Sequence, residues 1–278
     1  MTSWQSGDVA ANGIRLHYTR TGAGADQARP PLVLAHGVTD DGLCWSPIAA
    51  ALEADYDVIM VDARGHGRSE APERGYDAAT QAADLHGLIQ SLGLDRPLLL
   101  GHSMGAATTL ALAGLYPETP RAIVLEDPPG WWLPTPPGAA HQARASIGGW
   151  IESLQRKTRE QLLAEQRAAT PGWSEAELEP WADSKLLVSL NVLDVFRESP
   201  SANVDWPSLL PRVSCPALLL TADAALGAAL SEEGAAALRA HVPQLQVAHI
   251  AGAGHNIRRD QPARFLEVVR AFLAEHAP

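Results

Sequence analysis

Hydrophobic residues in this chain fall into short unbroken runs separated by stretches with a helical period. The runs are Pro31-Leu32-Val33-Leu34-Ala35, Asp57-Val58-Ile59-Met60-Val61, Pro97-Leu98-Leu99-Leu100, Arg121-Ala122-Ile123-Val124-Leu125, Ala217-Leu218-Leu219-Leu220-Thr221 and Gln246-Val247-Ala248-His249-Ile250. Runs of this length with little polar alternation predict strands covered on both faces, as in a parallel sheet. The opening segment differs. From Val9 to Thr19, Ile14, Leu16 and Tyr18 alternate with polar residues behind Asn12-Gly13, which predicts a hairpin. Gly22 to Asp26 reads as a loop. Between the runs the period lengthens. Asp77 to Leu92 places Leu85, Leu88, Ile89 and Leu92 on one helix face and stops at Gly93. Further helices are predicted over Trp45–Glu53, Ala106–Ala113, Glu232–His241 and Pro262–Glu275. Strands alternating with helices predict an α/β fold with a mostly parallel, doubly wound sheet.

The alternation stops after Pro129. From 130 to 211 no run reads as a strand, whereas Ala143–Lys157, Glu160–Ala168 and Glu175–Leu190 read as helices. This segment also carries Trp131, Trp132, Trp150, Trp173, Trp181 and Trp206, most of the chain's 8 tryptophans. The expected organisation is therefore one core, 1–129 with 212–278, carrying a helical cap over 130–211.

Composition narrows the classes of function. With 278 residues, 46% of them hydrophobic, the chain can bury one large core. A formal charge of −11 argues against nucleic acid or an acidic membrane surface as a partner, and favours a small-molecule ligand. Met1 to Gln5 lacks a basic start and no apolar run is long enough to span a bilayer, so a cytoplasmic location is expected. Cys44 and Cys215 are far apart and read as free thiols. No Cys/His spacing suits a metal. A homodimer stays open.

The candidate chemistry centres on Gly101-His102-Ser103-Met104-Gly105, which follows an apolar run and precedes a small-residue helix. Strand, tight turn and helix are the setting in which Gly-x-Ser-x-Gly presents a nucleophilic serine. Acyl transfer further needs a base, an acid that orients it, and donors for the oxyanion. Among 10 histidines, His255 is the best base, because it lies in the glycine-rich loop Ala251–Asn256 after the last strand. His36 and His66 read as residues that lock loops by hydrogen bonds, and His102 is expected to point away from Ser103.

His36-Gly37, Asp62-x-Arg64-Gly65-His66-Gly67-x-Ser69, Gly101-x-Ser103-x-Gly105 and Gly254-His255 together resemble the landmarks of the α/β-hydrolase superfamily, in order and over nearly the whole chain. The resemblance implies an oxyanion hole from the Val38 and Met104 backbone N–H groups, a structural role for Asp62 to Ser69, and no cofactor. The usual acid segment, Gly-Asp-x-Asp, is here Thr221-Ala222-Asp223-Ala224-Ala225, with Ala225 at the acid position. Some subfamilies, certain haloalkane dehalogenases and the zearalenone-lactone hydrolases among them, take the acid from beyond the strand after the nucleophile helix. Glu126 is the expected acid on that pattern, with Asp127 and Asp223 as alternatives; the competing role for each is a helix cap or a salt bridge. A serine at 103 excludes dehalogenation, which needs a carboxylate there. Trp181, Trp131 and Trp132 are expected to line a pocket for a bulky apolar molecule. The leading expectation is a serine hydrolase of a carboxylic ester or lactone. A carbon–carbon hydrolase or cofactor-free oxygenase on the same triad, and a slow-turnover ligand receptor, are the alternatives.

Overall fold

The computed structural model describes residues 4–22, 29–197 and 203–278. Most of the loop expected between Gly22 and Asp26 lies outside them. Strands β1 (Gln5–Ala11) and β2 (Ile14–Arg20) form the predicted hairpin, with Asn12 and Gly13 both at positive φ in the turn. The remaining strands are β3 (Pro31–Ala35), β4 (Asp57–Val61), β5 (Leu98–His102), β6 (Ala122–Glu126), β7 (Ala217–Ala222) and β8 (Leu245–Ile250). They form one sheet in the order β1-β2-β4-β3-β5-β6-β7-β8, parallel from β4 to β8. The helices are α1 (Ser46–Leu52), α2 (Ala78–Ser91), α3 (Met104–Leu115), α4 (Ala139–Gln155), α5 (Arg159–Ala169), α6 (Glu175–Leu187), α7 (Trp206–Leu209), α8 (Glu232–His241), α9 (Ile257–Asp260) and α10 (Pro262–His276).

Strands β3 to β7 are buried on both faces, as their unbroken apolar runs require, whereas the edge strand β8 exposes Gln246, Val247 and His249. Residues of β4, β5 and β6 are buried without exception. One face packs on Leu85, Leu88 and Ile89 of α2, the small residues of α3 and Leu238 of α8. The other packs on Ile48 and Leu52 of α1 and Phe265, Val269 and Phe272 of α10. Alanine and glycine in α3 let that helix lie close against the sheet beneath the sharp turn that precedes it. Cys44 and Cys215 are buried free thiols.

Between β6 and β7 the described residues hold helices and no strand, as expected. Helix α4 starts at Ala139 rather than Ala143, and α6 ends at Leu187 rather than Leu190. Val188 is extended, and the Ser189 hydroxyl accepts from Asn191 N–H to start a 3-10 turn over Leu190–Phe196. Two apolar clusters hold this segment. Leu154, Leu162 and Trp181 form its own interior, while Ile151, Val188, Val192 and Val195 pack with Tyr76 of the core and against Val38 and Trp131.

Candidate active site

The nucleophile turn is built by steric exclusion. Ser103 has φ +53° and ψ −117°, a region L-residues avoid unless their surroundings compel it. The compulsion comes from close packing on both sides. A Cβ on Gly101 would lie 2.3 Å from the Gly105 carbonyl oxygen, and one on Gly105 would lie 2.2 Å from that of Ala35. Only glycine fits either position. Ser103 N–H donates to the Glu126 carbonyl at 2.9 Å, which ties the turn to β6. Met104 is the first residue of α3, so its N–H has no acceptor within the helix.

His255 Nε2 lies 3.0 Å from Ser103 Oγ, and His255 Nδ1 lies 2.6 Å from Asp127 Oδ2. A carboxylate only accepts, so Nδ1 carries the proton and Nε2 presents its lone pair to the serine hydroxyl. Asp127 is fully buried and also accepts from Ala229 N–H at 2.7 Å and Leu230 N–H at 3.0 Å. The base is held from behind as well. His102 sits in the ladder opposite Glu126, and its Nε2 pairs with the His255 carbonyl at 2.9 Å. Burial, reinforced by the nearby Arg258 charge, keeps His102 neutral, with its pKa well below the usual histidine range. Its ring centre lies 4.8 Å from that of His255.

The expected acid, Glu126, is corrected by one residue. Glu126 is the last residue of β6 and projects to the α9 side, where it accepts from Arg258 N–H at 2.9 Å and Arg258 Nη1 at 3.1 Å. Side chains of a strand alternate between its faces, so a one-residue step changes the partner completely. Asp127, just past the strand and at φ +40°, turns toward His255 instead. Ser103 and Asp127 each follow the last residue of adjacent parallel strands, paired His102 to Glu126, which brings the two side chains to the same edge. Asp223 does not reach His255. It pairs with His249 Nε2 at 2.9 Å and accepts from Gly252 N–H at 2.7 Å.

The loop after β3 completes the site. Gly37 runs so close that a Cβ there would sit 3.2 Å from Ser103 Cβ. Asp40 N–H donates to the Gly37 carbonyl at 3.2 Å, and Thr39 has φ +70°, the third position of a type II turn with Val38 second. His36 and His66 lock this loop, as expected from sequence. His36 Nε2 accepts from Ala63 N–H at 3.0 Å, and His66 Nε2 accepts from Thr39 N–H at 3.3 Å. Both act as neutral acceptors, and burial pushes the His66 pKa down to about 3. Asp62 accepts from Gly42 N–H and Arg68 N–H, each at 2.8 Å, so the Asp62–Ser69 loop is a brace.

Beside this turn lies a buried ion network that sequence reading missed. Asp40 pairs with Lys185 of α6 at 2.6 Å, Arg259 at 3.0 Å and Arg258 at 3.2 Å. Glu126 balances Arg258, and Glu177 balances Arg259 at 3.2 Å. Burial alone would raise the Asp40 pKa, but the charges of Arg259, Lys185 and Arg258 hold it well below the usual range. Nothing in the local sequence, Asn256-Ile257-Arg258-Arg259-Asp260, marks these two arginines as buried.

Neighbouring Asp41 lacks that compensation. Burial, then the charges of Asp62 and Asp40, push its pKa up to about 7. The folded state therefore holds a proton that the unfolded chain releases near pH 4, and stability falls as pH rises through that window. Three units correspond to on the order of 4 kcal/mol. Asp41→Asn, which can still accept from Cys44 N–H, is expected to flatten the fall. The variant should match the parent near pH 4.5 and exceed it at pH 8 by several kcal/mol in denaturant titrations.

Two of the three tryptophans expected at the substrate are buried in apolar clusters. Trp132 Nε1 donates to the Gly234 carbonyl at 2.9 Å, and the ring packs against Trp206 in the core. Trp181 is interior to the helical segment and stacks under Lys185 Nζ, 4.9 Å from its ring centre. Trp181 thus builds the interior of the helical segment, and Trp132 anchors the start of that segment to the main core. Trp131 remains half-buried beside the cluster that includes Val38 and Ile147.

Known proteins share this arrangement of elements. A family model described as the alpha/beta hydrolase fold matches residues 30–258. N-formylmaleamate deformylase of Pseudomonas putida is 33% identical over 273 residues, covering 96% of this chain and 96% of that protein. Among solved structures, E-2-(acetamidomethylene)succinate hydrolase superposes with a TM-score of 0.78 at 23% identity, over 98% of this chain and 100% of that one. A thermophilic esterase from Thermogutta terrifontis gives 0.73 at 26% identity, over 99% and 100%. The chain belongs to the α/β-hydrolase family.

Proposed function

We propose that this protein is a serine hydrolase that cleaves the acyl bond of a small carboxylic ester or lactone through an acyl-enzyme on Ser103. The observation that carries this reading is the unbroken line Ser103 Oγ, His255 Nε2, His255 Nδ1, Asp127 Oδ2, with contacts of 3.0 and 2.6 Å. Ser103 Oγ attacks the carbonyl carbon as His255 Nε2 takes its proton. The oxyanion forms against the N–H groups of Val38 and Met104. His255 then returns the proton to the leaving oxygen, and water repeats the sequence on the acyl-enzyme. Every group the reaction needs is a residue of this chain, so the reading calls for no cofactor. Val38, Trp131 and Ile147 are half-buried around one apolar cluster, and in this reading they supply the apolar wall for the acyl group.

A fluorophosphonate mimics the acyl group and should label the protein once, at Ser103. p-Nitrophenyl ester turnover should fall in step with labelling. Labelling elsewhere, or turnover that survives full labelling, would overturn the mechanism. The bond class is read by offering lactones and N-acyl amides beside the esters. An amide belongs on that panel because a relative aligned over nearly the whole chain is named a deformylase of N-formylmaleamate.

A further inference from the structure

We infer that Lys185, contributed by helix α6 of the inserted helical segment, is a positioning residue for the oxyanion hole. It holds the Val38-Thr39 turn in the conformation that aims the Val38 N–H at the reacting carbonyl. The inference rests on the serine-hydrolase reading and extends it to a residue that touches neither substrate nor triad.

Three observations meet at this side chain. First, Thr39 is β-branched yet sits at φ +70°, where glycine is the usual occupant of a type II turn. Such a conformation persists only where contacts impose it. Second, Lys185 Nζ donates to the carbonyl oxygen of Thr39 at 3.0 Å, to Asp40 Oδ1 at 2.6 Å and to Ser184 Oγ at 3.1 Å. Its three protons are thus all used, and two of them grip the turn on successive residues. Third, the side chain is completely buried, with its ammonium over the Trp181 ring. A long flexible cation is fixed in place only when its surroundings leave it no other position.

The other contacts to the turn constrain different atoms. His66 takes Thr39 N–H, and Asp40 N–H closes onto Gly37. Arg258 and Arg259 pull on Asp40 Oδ2, the oxygen that Lys185 leaves. Among the described residues Lys185 alone holds the Thr39 carbonyl, and so the orientation of the peptide that follows Thr39. With that grip removed, the turn can relax toward negative φ at Thr39, which rotates the neighbouring Val38 amide. A donor for the oxyanion acts only where the charge develops, so its misalignment lowers the rate while leaving ground-state binding nearly intact.

Lys185→Met keeps the stem and removes the three donors, while Asp40 retains both arginines. In the folded variant, ester kcat is expected to fall about 10- to 100-fold with KM within about threefold. The inhibition constant of phenylboronic acid, which forms a tetrahedral adduct on the serine, should rise by the same factor. Lys185→Gln retains an amide donor on a shorter stem and should lose only about 3- to 10-fold, and it serves as the test should the methionine variant not fold. A folded variant with kcat within twofold of the parent overturns the inference. So does a loss confined to KM with boronate affinity unchanged. Fluorophosphonate separates the two levels. Turnover it fails to abolish in the parent sinks the hydrolase reading itself, whereas abolished turnover with an indifferent Lys185 variant sinks this inference alone.

Discussion

Replacing Ser103 by glycine is expected to abolish ester turnover and to make the protein more stable at the same time. The loss should be at least about 10⁴-fold in kcat, since removing the nucleophile leaves only binding and oxyanion contacts to assist water. The gain follows from the backbone. Ser103 sits at φ +53° and makes no side-chain cap to α3, so its hydroxyl contributes little to the fold beyond the bond to His255. Glycine adopts this conformation without the clash that Cβ brings, and relief should be worth about 1 kcal/mol. Ser103→Ala is the control. It removes the hydroxyl but keeps Cβ, so it should be equally inactive with a melting temperature near that of the parent. Differential scanning calorimetry on both variants checks this, and a glycine variant that melts earlier than the alanine variant would contradict a strained nucleophile turn.

The second large effect separates two adjacent carboxylates. Asp127→Asn is expected to lower kcat by on the order of 10³-fold or more with little change in KM. Asp127 receives three N–H donors, from His255, Ala229 and Leu230. An asparagine must turn its own NH₂ toward at least one of them. Facing His255, it forces the tautomer that cannot accept the serine proton. Facing Leu230, it keeps the tautomer but withdraws the charge that stabilises the imidazolium. Glu126→Gln should behave in the opposite way. Its carboxylate holds Arg258 and touches no triad atom, so kcat should stay within about tenfold. Its cost appears in stability instead, about 3 kcal/mol for one partner lost from a buried ion pair, or several degrees in Tm. Steady-state kinetics paired with melting curves tests both variants, and exchange of the two phenotypes would return the acid to Glu126.

The stability cost at Glu126 and the rate cost at Lys185 have a common origin. One buried network joins the residue beside the acid, the segment behind the base, the turn beside the nucleophile and helix α6. Its three cations and three carboxylates are each too expensive to bury singly, and together they fix the relative positions of four chain segments.

Much of this was legible in the chain. The apolar runs set β3 to β8 within a residue or two, and for β3 to β7 the reason is that a strand covered on both faces leaves no choice of residue type. Asn12-Gly13 placed the hairpin, since few other pairs accept its positive φ values. Gly101-x-Ser103-x-Gly105 marked the strained turn, and His255 was singled out as its partner because it lies in the loop after the last strand. Such features depend on local geometry, and local geometry is written in adjacent residues.

What the chain could not disclose was which side chains meet across the sheet edge. Glu126 and Asp127 are chemically alike and adjacent, and only the direction of the chain leaving β6 decides that one meets Arg258 and the other His255. Trp132 and Trp181 had the right chemistry for a pocket wall, yet packing assigned them to the interior. Lys185 looked like any helical lysine until α6 docked against the Thr39 turn, 146 residues away in sequence. Residue type and short-range pattern determined the elements of this protein and the sharp turn that carries Ser103. The pairing of His255 with Asp127, the contacts of Lys185 to the Thr39 turn and the burial of Trp132 and Trp181 were decided by long-range packing, which removes water as a partner and leaves each polar group only the neighbour that the fold supplies.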